Sequence, residues 1–238
     1  MKAEVVFFDI GHTLVTGAEQ SPKKLLAARL QLSEEETEAV GRVIMTHPSR
    51  EPALLSTVLG EILPRLESGQ LRSAVEAVWE EQIHCVREIP GATALLQFLK
   101  EAGFRLGVIS NIWHPFYEGF CRTCAEMPAL LDYGILSYQV GHKKPSGHIY
   151  RSALREAGAA ASSCWMVGDT YELDMAPAAQ LGMRTIWMLN RPERETKQLV
   201  RILRGEAPSP QWTVENLEEV LEFFQNGRHH EKDVIANV

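Results

Sequence analysis

The chain has 238 residues, 45% of them apolar and 23% charged, which is ordinary globular composition and enough length for one domain carrying an insertion. Lys and Arg number 24 against 31 Asp and Glu, a net charge of −7 without a long basic block, which argues against nucleic acid as a partner. No repeat points to a solenoid, and no stretch reaches the roughly 18 apolar residues of a membrane helix. The N-terminus lacks the basic and apolar regions of a signal peptide, so a soluble cytoplasmic protein with no membrane partner is expected.

The first predicted strand runs from Val5 to Phe8 and ends on Asp9, in the segment Asp9-Ile10-Gly11-His12-Thr13-Leu14. A buried strand therefore delivers a carboxylate into a glycine-containing loop. Taking that charge out of water is costly unless a metal, a cation or several backbone donors receive it.

Residues 16–88 read as helical throughout, with no convincing strand. Pro22 starts one helix, Ser33 with Glu36 forms a capping-box signature for the next, and Leu71 to Arg87 carries apolar residues at helical spacing. An all-helical insertion after the first strand belongs at the carboxyl edge of a parallel sheet, where it acts as a lid. Pro90-Gly91 marks the return. The expected division is residues 1–15 and 89–226 as an α/β core and 16–88 as a helical cap.

Further strands are predicted at Arg105 to Ile109, Gly134 to Tyr138, Trp165 to Val167 and Thr185 to Leu189. Helices at Ala92 to Ala102 and Ile149 to Ala157 stop at Gly103 and Gly158. This alternation predicts a parallel sheet covered on both faces. Residues 191–211, with three prolines and several charges, read as a connector, Trp212 to Phe224 as a final amphipathic helix, and 227–238 as a mobile tail.

The four cysteines, Cys85, Cys121, Cys124 and Cys164, read as reduced thiols. The run Cys121-Arg122-Thr123-Cys124 lacks the second pair or spaced histidines of a structural zinc. It also lacks the strand-to-helix setting of a redox pair.

Three more polar groups follow strands: Ser110-Asn111, Lys144-Pro145, and the run Gly168-Asp169 to Asp174. Each alone reads as a turn residue. Together with Asp9 they form a constellation in which the chain resembles the haloacid dehalogenase-like (HAD) hydrolase superfamily from residue 5 to about 190. The helical insertion stands where that family has its cap.

The resemblance implies an α/β fold with a Rossmann-like parallel sheet core and an inserted all-helical cap domain. It implies a Mg²⁺-dependent, phosphatase-like hydrolase acting on a small phosphorylated metabolite. Asp9 would be the nucleophile of an aspartyl-phosphate intermediate, and Asp9, the Gly11 carbonyl and Asp169 would be the metal ligands. Lys144 would touch both nucleophile and phosphoryl oxygens, with Ser110 and Asn111 also binding substrate. Thr13 would steady the loop, and Asp174 would either orient a metal-bound water or hold Lys144.

One position departs from the family's phosphatases. They have a second Asp two residues after the nucleophile, as leaving-group acid, where this chain has Gly11; such a group contributes about 10² to 10⁴ in rate. Three outcomes follow. His12, where the family usually has Gly, supplies the proton; or the enzyme acts on good leaving groups such as acyl and activated aryl phosphates; or the chain is a catalytically weak phosphate-binding or regulatory protein. Asp169 argues against dehalogenation, and phosphonate hydrolysis would need a cap lysine, for which Lys23 and Lys24 are the only candidates. Arg42, His47 and Arg50 read as solvated cap residues. The cluster from Trp113 to Tyr117 reads as packing ahead of pocket lining, and His229-His230 has too little context for a metal site.

Overall fold

The computed structural model describes residues 4–235, with side chains to residue 226. Strand β1 (Val5–Phe8) has all four side chains buried. Val5 and Phe7 enter one apolar cluster and Val6 and Phe8 another, the period-two alternation of a strand covered on both faces. Each such side chain contributes about 1.5–3 kcal/mol on leaving water.

Directly after β1 comes a two-residue strand, β2 (Val15–Thr16), antiparallel to β3 (Arg87–Glu88). This pair corrects the strand-free reading of residues 16–88. It ties the two ends of the insertion together, and Ile89 N donates to Leu14 O at 3.0 Å beside it. Between them lie α1 (Pro22–Leu30), α2 (Glu34–Thr46), α3 (Pro52–Ile62) and α4 (Ser68–His84). The capping box at Ser33 forms: Ser33 Oγ accepts from Glu36 N at 3.2 Å and Glu36 accepts from Ser33 N at 2.8 Å. These helices bury their own apolar cluster, including Leu26, Val40, Leu59, Val75 and Trp79, and close it over Trp113.

The remaining strands are β4 (Arg105–Ser110), β5 (Tyr133–Leu136), β6 (Cys164–Gly168), β7 (Arg184–Met188) and β8 (Trp212–Val214). With β1 they form a parallel sheet in the order β5-β4-β1-β6-β7-β8. One face carries α5 (Ala92–Glu101), α6 (His114–Thr123), α7 (Glu126–Leu130) and α12 (Leu217–Ile235). The short α8 (Ser137–Val140) follows β5. The other face carries α9 (Gly147–Ala157), the π turn Tyr171–Met175 and α10 (Ala176–Gln180), with α11 (Pro192–Leu203) at its margin. Gly119 lets α6 approach the cap: an added Cβ there would lie 2.4 Å from Ile83 O.

Three further sequence expectations are corrected. Residues 191–211 are no connector, because Pro192 opens α11 at its first position and Glu193 and Glu195 favour its first turn. Trp212 to Val214 is the sixth sheet strand rather than helix, and α12 begins at Leu217. The strand expected at Gly134 to Tyr138 stops at Leu136, where the chain turns into α8. The tail expected at 227–238 begins inside α12; its last three residues and all its side chains, those of His229 and His230 included, lie outside the described residues. Among the described residues all four cysteines are free thiols, and no helix is long and apolar enough to cross a membrane.

Candidate active site

Strand register gathers the polar groups. Phe8 lies opposite Val108 of β4 and Val167 of β6, so Asp9, Ser110 and Asp169 leave the carboxyl ends of three adjacent strands at closely similar levels. There the strand order turns from β4 on one side of β1 to β6 on the other, the crevice where open α/β sheets bind ligands. Lys144 enters from the loop between α8 and α9, and Asp174 from the π turn after β6.

Lys144 is 2% exposed, and its Nζ donates to Asp9 Oδ1 at 2.6 Å and to Asp174 Oδ1 at 2.5 Å. Burial works against an ammonium, but Asp174 and Asp9 outweigh it and hold the group above the ordinary lysine range. The Lys144 loop is fixed by Asn111. Asn111 Nδ2 donates to Lys144 O at 3.0 Å and Asn111 Oδ1 accepts from Lys144 N at 2.6 Å. The amide expected to meet substrate is thus turned onto this backbone, which it positions.

Asp174, 1% exposed, has both oxygens engaged: Lys144 takes Oδ1 and Thr170 N donates to Oδ2 at 3.0 Å. Of the two roles open to it, its contacts display the holding of Lys144. Its approach needs Gly168, where an added Cβ would lie 2.4 Å from Asp174 Cγ. Burial pushes the Asp174 carboxyl up, against the pull of Lys144 and with that of Asp9. Asp169 is raised too, by burial and then by Asp9, with Arg191 opposing.

Three buried carboxylates thus face one ammonium and one guanidinium. One oxygen each of Asp9, Asp169 and Asp174 lies within 4.8 Å of the others. Hard oxygen donors, buried and short of positive charge, fit a divalent cation such as Mg²⁺.

A family model described as haloacid dehalogenase-like hydrolase matches residues 3–182. The chain belongs to the HAD-like hydrolase family. The glyceraldehyde 3-phosphate phosphatase of Methanothermobacter thermautotrophicus is 30% identical over 196 residues, 77% of this chain and 84% of that protein. The protein of that name from Pyrococcus abyssi is 34% identical over 102 residues, 43% of this chain and only 42% of its own length. Among solved structures, a 2-haloacid dehalogenase from Pseudomonas syringae pv. Tomato DC3000 shares the fold. Its TM-score is 0.61 at 22% identity, covering 94% of this chain and 99% of that one.

In this HAD-like site Gly11 leaves open space: an added Cβ would meet nothing within 4 Å. His12 follows with φ 61°, a left-handed backbone that L residues adopt at a cost. That conformation is held by His12 N donating to Val15 O at 2.6 Å and by His12 O accepting from Asn190 Nδ2 at 2.8 Å. Burial, then Arg191, lowers the imidazole pKa below 6.5, so at neutral pH His12 is suited to accept a proton rather than give one. Thr13 is fully buried, but its Oγ1 has no partner, so its hydroxyl does not tie the loop; the backbone turn from Ile10 O does.

A cavity of about 230 Å³ opens beside these groups, lined among others by Gly11, His12, Ser110, Gln82, Trp113 and Arg194. Trp113 packs edge-on against Trp79 at 5.6 Å, and its Nε1 donates to Gln82 of α4 at 3.3 Å, so the aromatic cluster both packs the cap and walls the cavity. Arg42, His47 and Arg50 do not line it, and His47 Nδ1 is bonded to Ser49 Oγ at 2.6 Å. Lys23 Nζ donates to Glu38 at 2.5 Å.

Sequence reasoning missed Asn190, Arg191 and Arg194. Arg191 pairs with Asp169 Oδ2, while its Nε and Nη1 are buried without a partner. Their signal was positional: they follow β7, so they leave the same edge of the sheet as Asp9, Ser110 and Asp169.

Proposed function

We propose that this HAD-like hydrolase is a Mg²⁺-dependent phosphatase acting on a small phosphorylated metabolite through an aspartyl-phosphate. The observation that carries the reading is the Lys144 ammonium shared between Asp9 and Asp174 beside the cavity that Ser110 lines. The M. thermautotrophicus phosphatase lends it support, and the cavity volume suits a small substrate.

Lys144 holds one oxygen of Asp9, and the other attacks phosphorus in line, with Ser110 donating to a phosphoryl oxygen. When bound by Asp9, the Gly11 carbonyl and Asp169, Mg²⁺ supplies the positive charge that gathers nucleophile and phosphoryl group. Gly11 has no proton to give, so leaving groups that depart as anions, those of acyl and activated aryl phosphates, are favoured. In the second step His12, neutral near pH 7, takes a proton from the water that attacks phosphorus, releasing phosphate and regenerating Asp9. Dehalogenation is not favoured, because Asp169 joins Asp9 and Asp174 in an acidic cluster that a divalent cation can occupy.

The test is phosphate release from acetyl phosphate and p-nitrophenyl phosphate, with and without Mg²⁺. Release should require Mg²⁺, and Asp9→Asn should abolish it. A rate unchanged in that variant would assign the activity to a contaminant. Gly11 also favours a second reading, a phosphate-binding protein without turnover; tight phosphate binding with no release from either compound would select it.

A further inference from the structure

Arg194 stands at the third position of α11 and lines the same cavity as Gly11, His12 and Ser110. Arg191, one turn earlier, is held by Asp169, whereas among the described residues the Arg194 guanidinium has no ion pair and no side-chain hydrogen bond. Glu19 also lines the cavity without pairing with it. The same cavity thus brings the Arg194 side chain and the nucleophile's loop, Gly11 and His12, onto one lining. An exposed, unpaired guanidinium lining a cavity next to a loop that lacks its acid is placed to do electrostatically what that acid would do by protonation.

Resting on the phosphatase reading, we infer that Arg194 contacts the leaving group and stabilises it as an oxyanion, so that the natural substrate is an acyl phosphate or another ester of an acidic hydroxyl. The Asp9–phosphorus bond forms as the phosphorus–oxygen bond of the substrate breaks. The electron pair stays on the departing oxygen, no proton moves, and the new negative charge meets the guanidinium. A carboxylate leaving group gains little from protonation at neutral pH, so a fixed cation serves it better than an acid.

The experiment compares wild type, Arg194→Gln and Arg194→Lys on acetyl phosphate and on aryl phosphates running from acidic nitrophenols to phenol. Removing one charge-stabilising donor should lower kcat/KM by about 10² on phenyl phosphate. The loss should shrink steadily as the phenol becomes more acidic, so the dependence of rate on leaving-group pKa steepens. Arg194→Lys should recover most of the loss, and Mg²⁺ and phosphate affinities should stay within two-fold, roughly, of wild type. An equal loss across the series, or a Lys variant no better than Gln, overturns the inference while leaving the phosphatase reading standing. A wild type that releases phosphate from none of these compounds overturns both.

Discussion

Gly11 and Arg191 both bear on the acidic cluster of Asp9, Asp169 and Asp174, one by what it lacks and the other by what it covers. The open space over Gly11 means that the Cβ of Gly11→Asp meets no neighbour within 4 Å. That variant is expected to raise turnover of alkyl phosphates by about 10² or more, read as kcat with and without the substitution. No gain in a folded variant would show that proton donation does not limit the rate. Arg191 sits on an oxygen of Asp169, so a cation bound there competes with it. Calorimetric titration of Arg191→Gln should show Mg²⁺ binding tightened about ten-fold, roughly the 1.4 kcal/mol of a modest ion pair; unchanged affinity would mean that guanidinium and cation share the carboxylate. The sequence displayed Asp9, Lys144, Asp169 and Asp174 because each is a charge at the end of an apolar strand or in a glycine- or proline-marked loop. It could not display which way Asn111 turns, since an amide after a strand serves substrate or backbone equally well until the Lys144 loop is folded beside it.

At the scale of elements, α6 and α8 meet through His114, whose Nδ1 lies 3.2 Å from Tyr138 Oη. Burial lowers the His114 pKa below 6.5, partly offset by Glu118 and reinforced by Arg50. The unfolded chain therefore binds a proton below pH 6.5 that the folded chain resists, so stability is present above that value and is lost as pH falls through it. Relative to wild type, His114→Gln should gain urea midpoint as pH falls from 7.5 to about 5.5, because it lacks this one contribution while those of His12 and, with opposite sign, of the raised Asp169 and Asp174 carboxyls are common to both proteins. A slope unaltered by the substitution would sink this account. The elements that escaped the sequence reading did so for local reasons. Around Pro192, the charges Glu193, Arg194 and Glu195 have a linker's composition, yet proline at the first position and acids in the first turn are also a helix start. Strand β8 is three residues long with only Val214 buried, too short to show alternation, and its identity comes from pairing with β7.

Across the whole molecule, one face of the sheet is packed by a cluster of aromatic rings from α12, β6 and β8. Phe224 of α12 lies 5.3 Å from Phe104 and 5.5 Å from Trp165, centroid to centroid, and is 5% exposed. Phe224→Ala should reduce unfolding free energy by about 3–5 kcal/mol while KM for p-nitrophenyl phosphate stays constant. A KM that moved with stability would show that the two faces of the sheet are coupled. The cap relates to this core differently, for the chain leaves after β2 and re-enters at β3, two strands that pair Val15 with Glu88 and Thr16 with Arg87. An excursion whose exit and entrance are stapled side by side makes little demand on the geometry of its host. Helices grafted from another member of the family onto that short ladder would inherit the same doorway, so evolution or an engineer can exchange the roof over Asp9 without redrawing the floor.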